Sequence, residues 1–195
     1  MTRPSVFNYI IEKLRVYLPG DLLYHNIDHV LDVYEAVNRI SKAESINSET
    51  AELLSVAALM HDAGMIISYK GHEAAACKLV SDWLPQFGYD ESARQRICGM
   101  ILTTQLPQSA TLPEEQILCD ADLDYLGRDD FFMIAERLRL EWKRKGIIDY
   151  SLNDWYKLQI DFLGNHNYYT QTNRTKRDEG KRLNLIQIKS LFNQE

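Results

Sequence analysis

The sequence predicts an all-α protein, a helical bundle folded as a single domain over residues 1–195. Three observations predict it: apolar residues recur at helical spacing along almost the whole chain, long alternating strand patterns are absent, and no Pro/Ser/Gly-rich linker or low-complexity run divides it. The first helix is expected from Ser5 to Tyr17, with Val6, Ile10, Leu14 and Tyr17 on one face and Pro19-Gly20 as its stop. Asn26 is placed to cap a second helix, in which Val30, Val33, Tyr34, Val37 and Ile40 share one stripe, and the polar stretch Lys42–Ser48 closes it. A third, capped by Ser48, turns Leu53, Val56, Ala57 and Met60 inward and reaches His61-Asp62 before Gly64 breaks it. Further helices are expected over Gly71–Leu84, Asp90–Thr104, Glu114–Leu123, Asp129–Lys145, Asn153–Thr170 and Thr175–Phe192, with Pro85, Pro107 and Pro113 at the joints. The last, around Lys181–Phe192, is expected to be an edge element.

Composition narrows the function classes. With 45% hydrophobic and 26% charged residues the chain reads as a soluble globular protein. The formal net charge of −6 supplies no global positive field, so neither nucleic acid nor an anionic membrane is expected as a partner. Apolar stretches such as Leu53–Met60 fall well short of the roughly 20 residues that cross a bilayer. The start, Met1-Thr2-Arg3-Pro4, has no apolar signal core, and a cytoplasmic location is expected. Cys77, Cys98 and Cys119 fit no CxxC spacing and are expected as reduced, mostly buried thiols. The nine glycines form neither GxGxxG nor GxxxxGK, which removes the usual grounds for a Rossmann or P-loop nucleotide site.

The five histidines are unevenly placed: His25 and His29 in Tyr24-His25-Asn26-Ile27-Asp28-His29, then His61-Asp62, His72-Glu73 and a lone His166. Asp120-Ala121-Asp122 follows the same logic of clustered donors. Imidazole nitrogens and carboxylate oxygens together suit a divalent cation, so the pattern is a metal-site candidate. Each part also has a plainer role: His29 as a helix-edge histidine, His61-Asp62 as polar residues closing a helix, Asp120 and Asp122 as turn or N-cap carboxylates. His166 falls on the apolar stripe of Trp155, Leu158, Phe162 and Tyr169, where a structural histidine is the commoner reading. Thr103, Thr104 and Gln105 read as a helix end more readily than as a pocket wall, and Arg174, Lys176, Arg177, Lys181 and Arg182 as a solvated basic face more readily than as a phosphate site.

Taken in order, Tyr24-His25-Asn26-Ile27-Asp28-His29-Val30, Ala57-Ala58-Leu59-Met60-His61-Asp62-Ala63-Gly64 and Cys119-Asp120-Ala121-Asp122-Leu123 resemble the HD-domain superfamily of metal-dependent phosphohydrolases, whose ligands run H…HD…D. The resemblance implies an HD-type helical bundle and makes His29, His61, Asp62 and Asp122 the metal ligands. Asp120 is the alternative to Asp122, which is preferred for its match to the family's alanine-aspartate element. His25 stands where the similar YHNxxH motif of cyclic-nucleotide phosphodiesterases has its proton donor to the leaving oxygen. The metal, whether Mn, Mg, Zn, Fe, Co or Ni, is not distinguished, and His72-Glu73 leaves a second ion near His72 open.

These residues imply a hydrolase in which metal-activated hydroxide attacks a phosphoester, with Asp62 or Asp122 orienting the water and His25 as the general acid. The expected substrate is a small phosphorylated molecule, foremost a nucleotide-type phosphodiester. Gly88-Tyr89-Asp90 is not the Gly-Tyr-Pro of relatives that cut cyclic dinucleotides. A nucleotide phosphomonoesterase or pyrophosphohydrolase, or a non-catalytic metal- and nucleotide-binding sensor, are the alternatives, and a homo-oligomer is open.

Overall fold

The computed structural model describes residues 5–192, so Met1–Pro4, with the expected absence of a signal core, lie outside the described residues. Those residues form nine α-helices and three short 3-10 turns, with no strand among them. The helices are α1 (Val6–Tyr17), α2 (Ile27–Ala43), α3 (Ser48–Met60), α4 (His72–Trp83), α5 (Glu91–Thr103), α6 (Pro113–Asp122), α7 (Phe131–Arg144), α8 (Leu152–Asn165) and α9 (Gln171–Phe192). Among the described residues no helix is long and apolar enough to cross a membrane.

Local chemistry sets the boundaries. Ser5 accepts from the Asn8 N–H at the start of α1, and the Asn26 side chain accepts from the N–H groups of Asp28 and His29 at the start of α2. The cap of α3 is Asn47 and not Ser48: Asn47 Oδ1 accepts from Thr50 N–H at 2.9 Å, which makes Ser48 the first helical residue. That helix ends at Met60, two residues before Asp62, and Ala63–Ile66 continues as a 3-10 turn. Gly64 does not act as a left-handed stop. A Cβ there would lie 1.8 Å from the His72 carbonyl oxygen and 2.5 Å from Ala76 N, so the glycine lets the turn touch the backbone of α4.

Two apolar clusters result. α3 is buried on almost every side by α1, α2, α5 and α6, with Leu54, Ala57, Ala58 and Met60 fully enclosed. The second cluster gathers Tyr125, Leu126, Phe131, Trp155 and Ile188 from α7, α8, α9 and the turn Asp124–Gly127, with Tyr24 and Tyr168 from the connecting segments before α2 and α9. Asp124 ties the clusters together: Arg39 of α2 donates to it at 2.7 Å, Arg177 of α9 at 2.9 and 2.6 Å, and Asn173 at 3.1 Å.

The C-terminal helices depart most from expectation. α8 stops at Asn165, five residues before Thr170, because the Tyr169 and Thr170 N–H groups are drawn off to the buried Asp120 carboxylate at 2.8 Å each. α9 begins at Gln171, four residues before Thr175, and its covered face is largely polar, with Asn173, Lys181 and Asn184 buried alongside Ile188. Apolar periodicity cannot report such a face. The helix is an edge element only on its outer side, where Leu183 and Ile186 are exposed; its inner side lies on α8 and the Asp124–Gly127 turn.

The cysteines are free, with Cys119 buried and Cys77 and Cys98 half-buried.

Asp124 generates a stability prediction. Burial alone would raise its carboxyl, but Arg177 and Arg39 hold it below the usual carboxylate range. Its contribution is therefore fully present above the unfolded-state value and is lost as pH falls through the lower folded-state value. Asp124→Ala leaves two guanidinium groups unpaired and is expected to cost about 3–5 kcal/mol at pH 7. Urea unfolding measures this, and the variant should show a shallower acid-side fall in stability than the wild type.

Candidate metal centre

The centre is assembled from three chain segments. The Asn26 cap sets His29 in the first turn of α2, His61 closes α3, Asp62 opens the following turn, and Asp122 is the last residue of α6. His61 Nδ1 donates to the Ala58 carbonyl at 2.8 Å, which leaves Nε2 for the site. That Nε2 lies 3.3 Å from His29 Nε2. Asp62 Oδ2 is 3.5 Å from His29 Nε2 and 3.3 Å from His61 Nε2. Asp122 Oδ1 is 3.3 Å and 3.6 Å from the same two nitrogens. One donor atom each from His29, His61 and Asp122 falls within 4.8 Å of the others, and Asp62 stands against both histidines of that trio.

The electrostatics call for a cation. Asp62 Oδ2 is buried and has no hydrogen-bond partner, while its other oxygen is 3.2 Å from His72 Nε2. Burial works against a charged His61, yet Asp62 and Asp122 outweigh it and push its imidazole up to about 9. Burial likewise opposes the Asp62 carboxylate, and the neighbouring His61 and His25 hold it well below its usual range. Two imidazole nitrogens and two carboxylates converging with one oxygen unclaimed is the donor set that a divalent ion takes, in exchange for the protons. The residues present therefore fit such an ion.

Asp120 and Asp122 part company because two residues on a helix point to nearly opposite sides. Asp120 is fully buried and accepts from Tyr169 N–H, Thr170 N–H and, at 2.6 Å, the Thr170 hydroxyl. Its work is to pin the 166–170 segment.

His25 is held from below by a residue that the sequence reading did not single out. Glu141 of α7, fully buried, accepts from His25 Nδ1, from the backbone N–H of Tyr24 at 2.7 Å and of His25 at 3.1 Å, and from the Tyr69 hydroxyl at 2.6 Å. Those donors outweigh burial and hold its carboxyl down at about 2. A signal existed: Ile134, Leu138 and Glu141 share one helical stripe, so an acid sits on a face otherwise turned toward the second cluster.

The remaining candidates separate. His72 adjoins the centre through Asp62, with Glu73 Oε1 3.6 Å from its Nε2. His166 lies elsewhere: it caps α8 in an extended conformation, off the expected stripe, and Lys181 donates to its carbonyl at 2.6 Å. Burial and that ammonium push its imidazole down to about 4. Thr103 and Thr104 bond back to the carbonyls of Met100 and Ile101, closing α5. Of the basic cluster, Arg174, Arg177 and Lys181 are absorbed into contacts with Tyr169, Asp124 and His166.

Comparison with known proteins meets this geometry directly. The family model described as HD domain matches residues 26–124 of the 195. The chain belongs to the HD domain family. The family is one of metal-dependent hydrolases, and the match runs through His29, His61, Asp62 and Asp122. The fold is also similar to a crystal structure described as a predicted HD superfamily hydrolase from an uncultured Thermotogales bacterium, with 21% identity, 95% of this chain and 90% of that chain covered, and a TM-score of 0.64. No curated protein matches the sequence. His25 and Glu141 lie outside the span matched by the HD model.

Two aspartates two residues apart should give opposite phenotypes. Asp122→Asn is expected to lower metal content with little change in unfolding, whereas Asp120→Asn should keep the metal and lose roughly 1.5–3 kcal/mol, as charge-assisted bonds do. Metal analysis and urea unfolding of both variants check this, with His61→Ala and Asp62→Ala expected to lose metal while the helical circular dichroism persists.

Proposed function

We propose that the chain is a metal-dependent phosphohydrolase cleaving a small phosphoester, foremost a nucleotide-type phosphodiester. In this reading His29, His61, Asp62 and Asp122 hold the ion. Such an ion supplies a nucleophile by lowering the pKa of water from about 15.7 toward about 7, and offsets phosphoryl charge. The observation that carries the reading is the His25–Glu141 pair beside that cluster: the His25 ring is 6.3 Å from the His29 ring and 5.7 Å from the His72 ring.

Glu141 fixes the His25 ring through Nδ1, which leaves Nε2 to hand a proton to a departing alkoxide. A module that only bound metal and nucleotide would gain nothing from such a proton carrier. Tyr69, bonded to the other side of Glu141 Oε1 and 5.7 Å ring to ring from His25, restricts the imidazole further. The diester preference rests on the YHNxxH resemblance, while the proton donor serves any ester whose ribose or alkyl oxygen leaves only when protonated.

His25→Ala is expected to keep the metal and lose on the order of 10²–10⁴-fold in rate on an alkyl or ribose ester, the usual contribution of a positioned proton transfer. On an aryl diester such as bis(p-nitrophenyl) phosphate, whose leaving group needs little protonation, the deficit should be much smaller. Equal deficits would assign His25 to substrate placement instead. No chelator-sensitive turnover of any phosphoester by the metal-loaded wild type would refute the hydrolase reading.

A further inference from the structure

A cleft of about 240 Å³ opens between the first turns of α2 and the stripe of α7 that faces them, with His29 in its wall. Its charged groups are unequal. Arg128 is fully engaged, donating to both oxygens of Asp32 at 2.7 Å and to Asp130 at 2.9 and 2.5 Å. Arg137, exposed on α7, makes no hydrogen bond or ion pair among the described residues. Its position is set by register: Ile134, Arg137 and Glu141 follow one another on a single helical stripe, and the Glu141 end is locked by His25 and Tyr69. The cleft is therefore lined both by His29 of the metal cluster and by an uncommitted guanidinium. Met133, 53% exposed, and Ile134 add apolar lining.

The same residues limit how much negative charge the cleft accepts. Asp28, Asp32 and Asp130 line it together with the two arginines, and one arginine is neutralised by two of those carboxylates. A single phosphoryl group can meet Arg137, whose planar fork suits two phosphoryl oxygens. A second or third phosphate would find carboxylates. We propose that this cleft seats the organic group esterified to the phosphoryl, that Arg137 binds a phosphoryl oxygen, and that the substrate is a singly phosphorylated ester with an apolar or aromatic body, not a di- or triphosphate. The proposal rests on the hydrolase reading for what lies beside the cleft, but binding alone tests it.

Phenyl phosphate and adenosine triphosphate are titrated calorimetrically into the full chain in excess Mn²⁺, with metal content and thermal unfolding measured on each variant. Arg137→Gln should weaken phenyl phosphate binding about tenfold or more, as loss of a charge-assisted bond does. Metal content and unfolding should stay unchanged. Arg137→Lys should recover part of the affinity, and Arg182→Gln, an exposed arginine outside the cleft, should bind as the wild type does. Equal binding by Arg137→Gln and wild type, or no binding of phenyl phosphate by the wild type, overturns the proposal. Tighter binding of the triphosphate than of phenyl phosphate overturns the single-phosphoryl class. Arg137-dependent binding without turnover of any ester would sustain the cleft assignment while refuting the hydrolase reading.

Discussion

Asp62 is taken out of water at the end of the most enclosed helix of the protein, and one of its oxygens is given no hydrogen bond in return. An isolated buried carboxylate is among the costliest groups a fold can contain, so what surrounds it has to be read as compensation. Three other buried acids are satisfied by the chain itself. Asp124 has Arg39, Arg177 and Asn173; Glu141 has His25, Tyr69 and two backbone N–H groups; Asp120 has the Tyr169 and Thr170 N–H groups and a hydroxyl. Asp62 instead faces the imidazole nitrogens of His29, His61 and His72, and among the described residues no lysine or arginine pairs with it. Compensation is thus delegated to a charge from outside the chain, a proton or a metal ion.

That delegation explains features of the fold that packing alone would not require. Gly64 brings the turn after Asp62 onto the backbone of α4, which sets His72 at 3.2 Å from the Asp62 carboxylate. α3 ends at Met60, so His61 and Asp62 stand at its C-terminal end, between it and the following turn. The first cluster supplies the cation site; the second, through Tyr24, Tyr125 and α7, supplies Glu141 and the cleft wall. Residues 26–124, the span of the HD match, hold the His/Asp cluster but not α7. Glu141, the anchor of His25, and the unpaired guanidinium of Arg137 therefore come from the C-terminal part of the chain.

What the sequence made legible follows the same division. Helices with an apolar inward face, α1 to α6, could be read to within a few residues, and the H…HD…D order brought out His29, His61, Asp62 and Asp122, which the fold gathers in one place. The misplaced boundaries have one physical cause. Where a buried polar group recruits backbone donors, as Asp120 does at Tyr169 and Thr170, hydrogen-bond demand ends a helix that apolar spacing would continue. α9 shows the converse, a helix whose covered face is Asn173, Lys181 and Asn184 with Ile188 as its one buried apolar residue, which leaves hydrophobic periodicity little to report. Glu141 was hidden differently: it lies 116 residues from His25, and only folding brings them together.

The contrast between Arg128 and Arg137 carries this reasoning to the surface. Both line the same cleft, yet Arg128 is bound by two carboxylates and serves to fasten the start of α7 to α2, whereas Arg137 has no such duty. A guanidinium already satisfied by two aspartates has little attraction left for an anion, because the incoming group must displace or outbid them in a region where acids are in excess. An unpaired one beside a cation site has its full charge to offer. Selectivity for a modestly charged ligand then arises without any dedicated repulsive element. It follows from the count of carboxylates already needed to hold Arg128 in place.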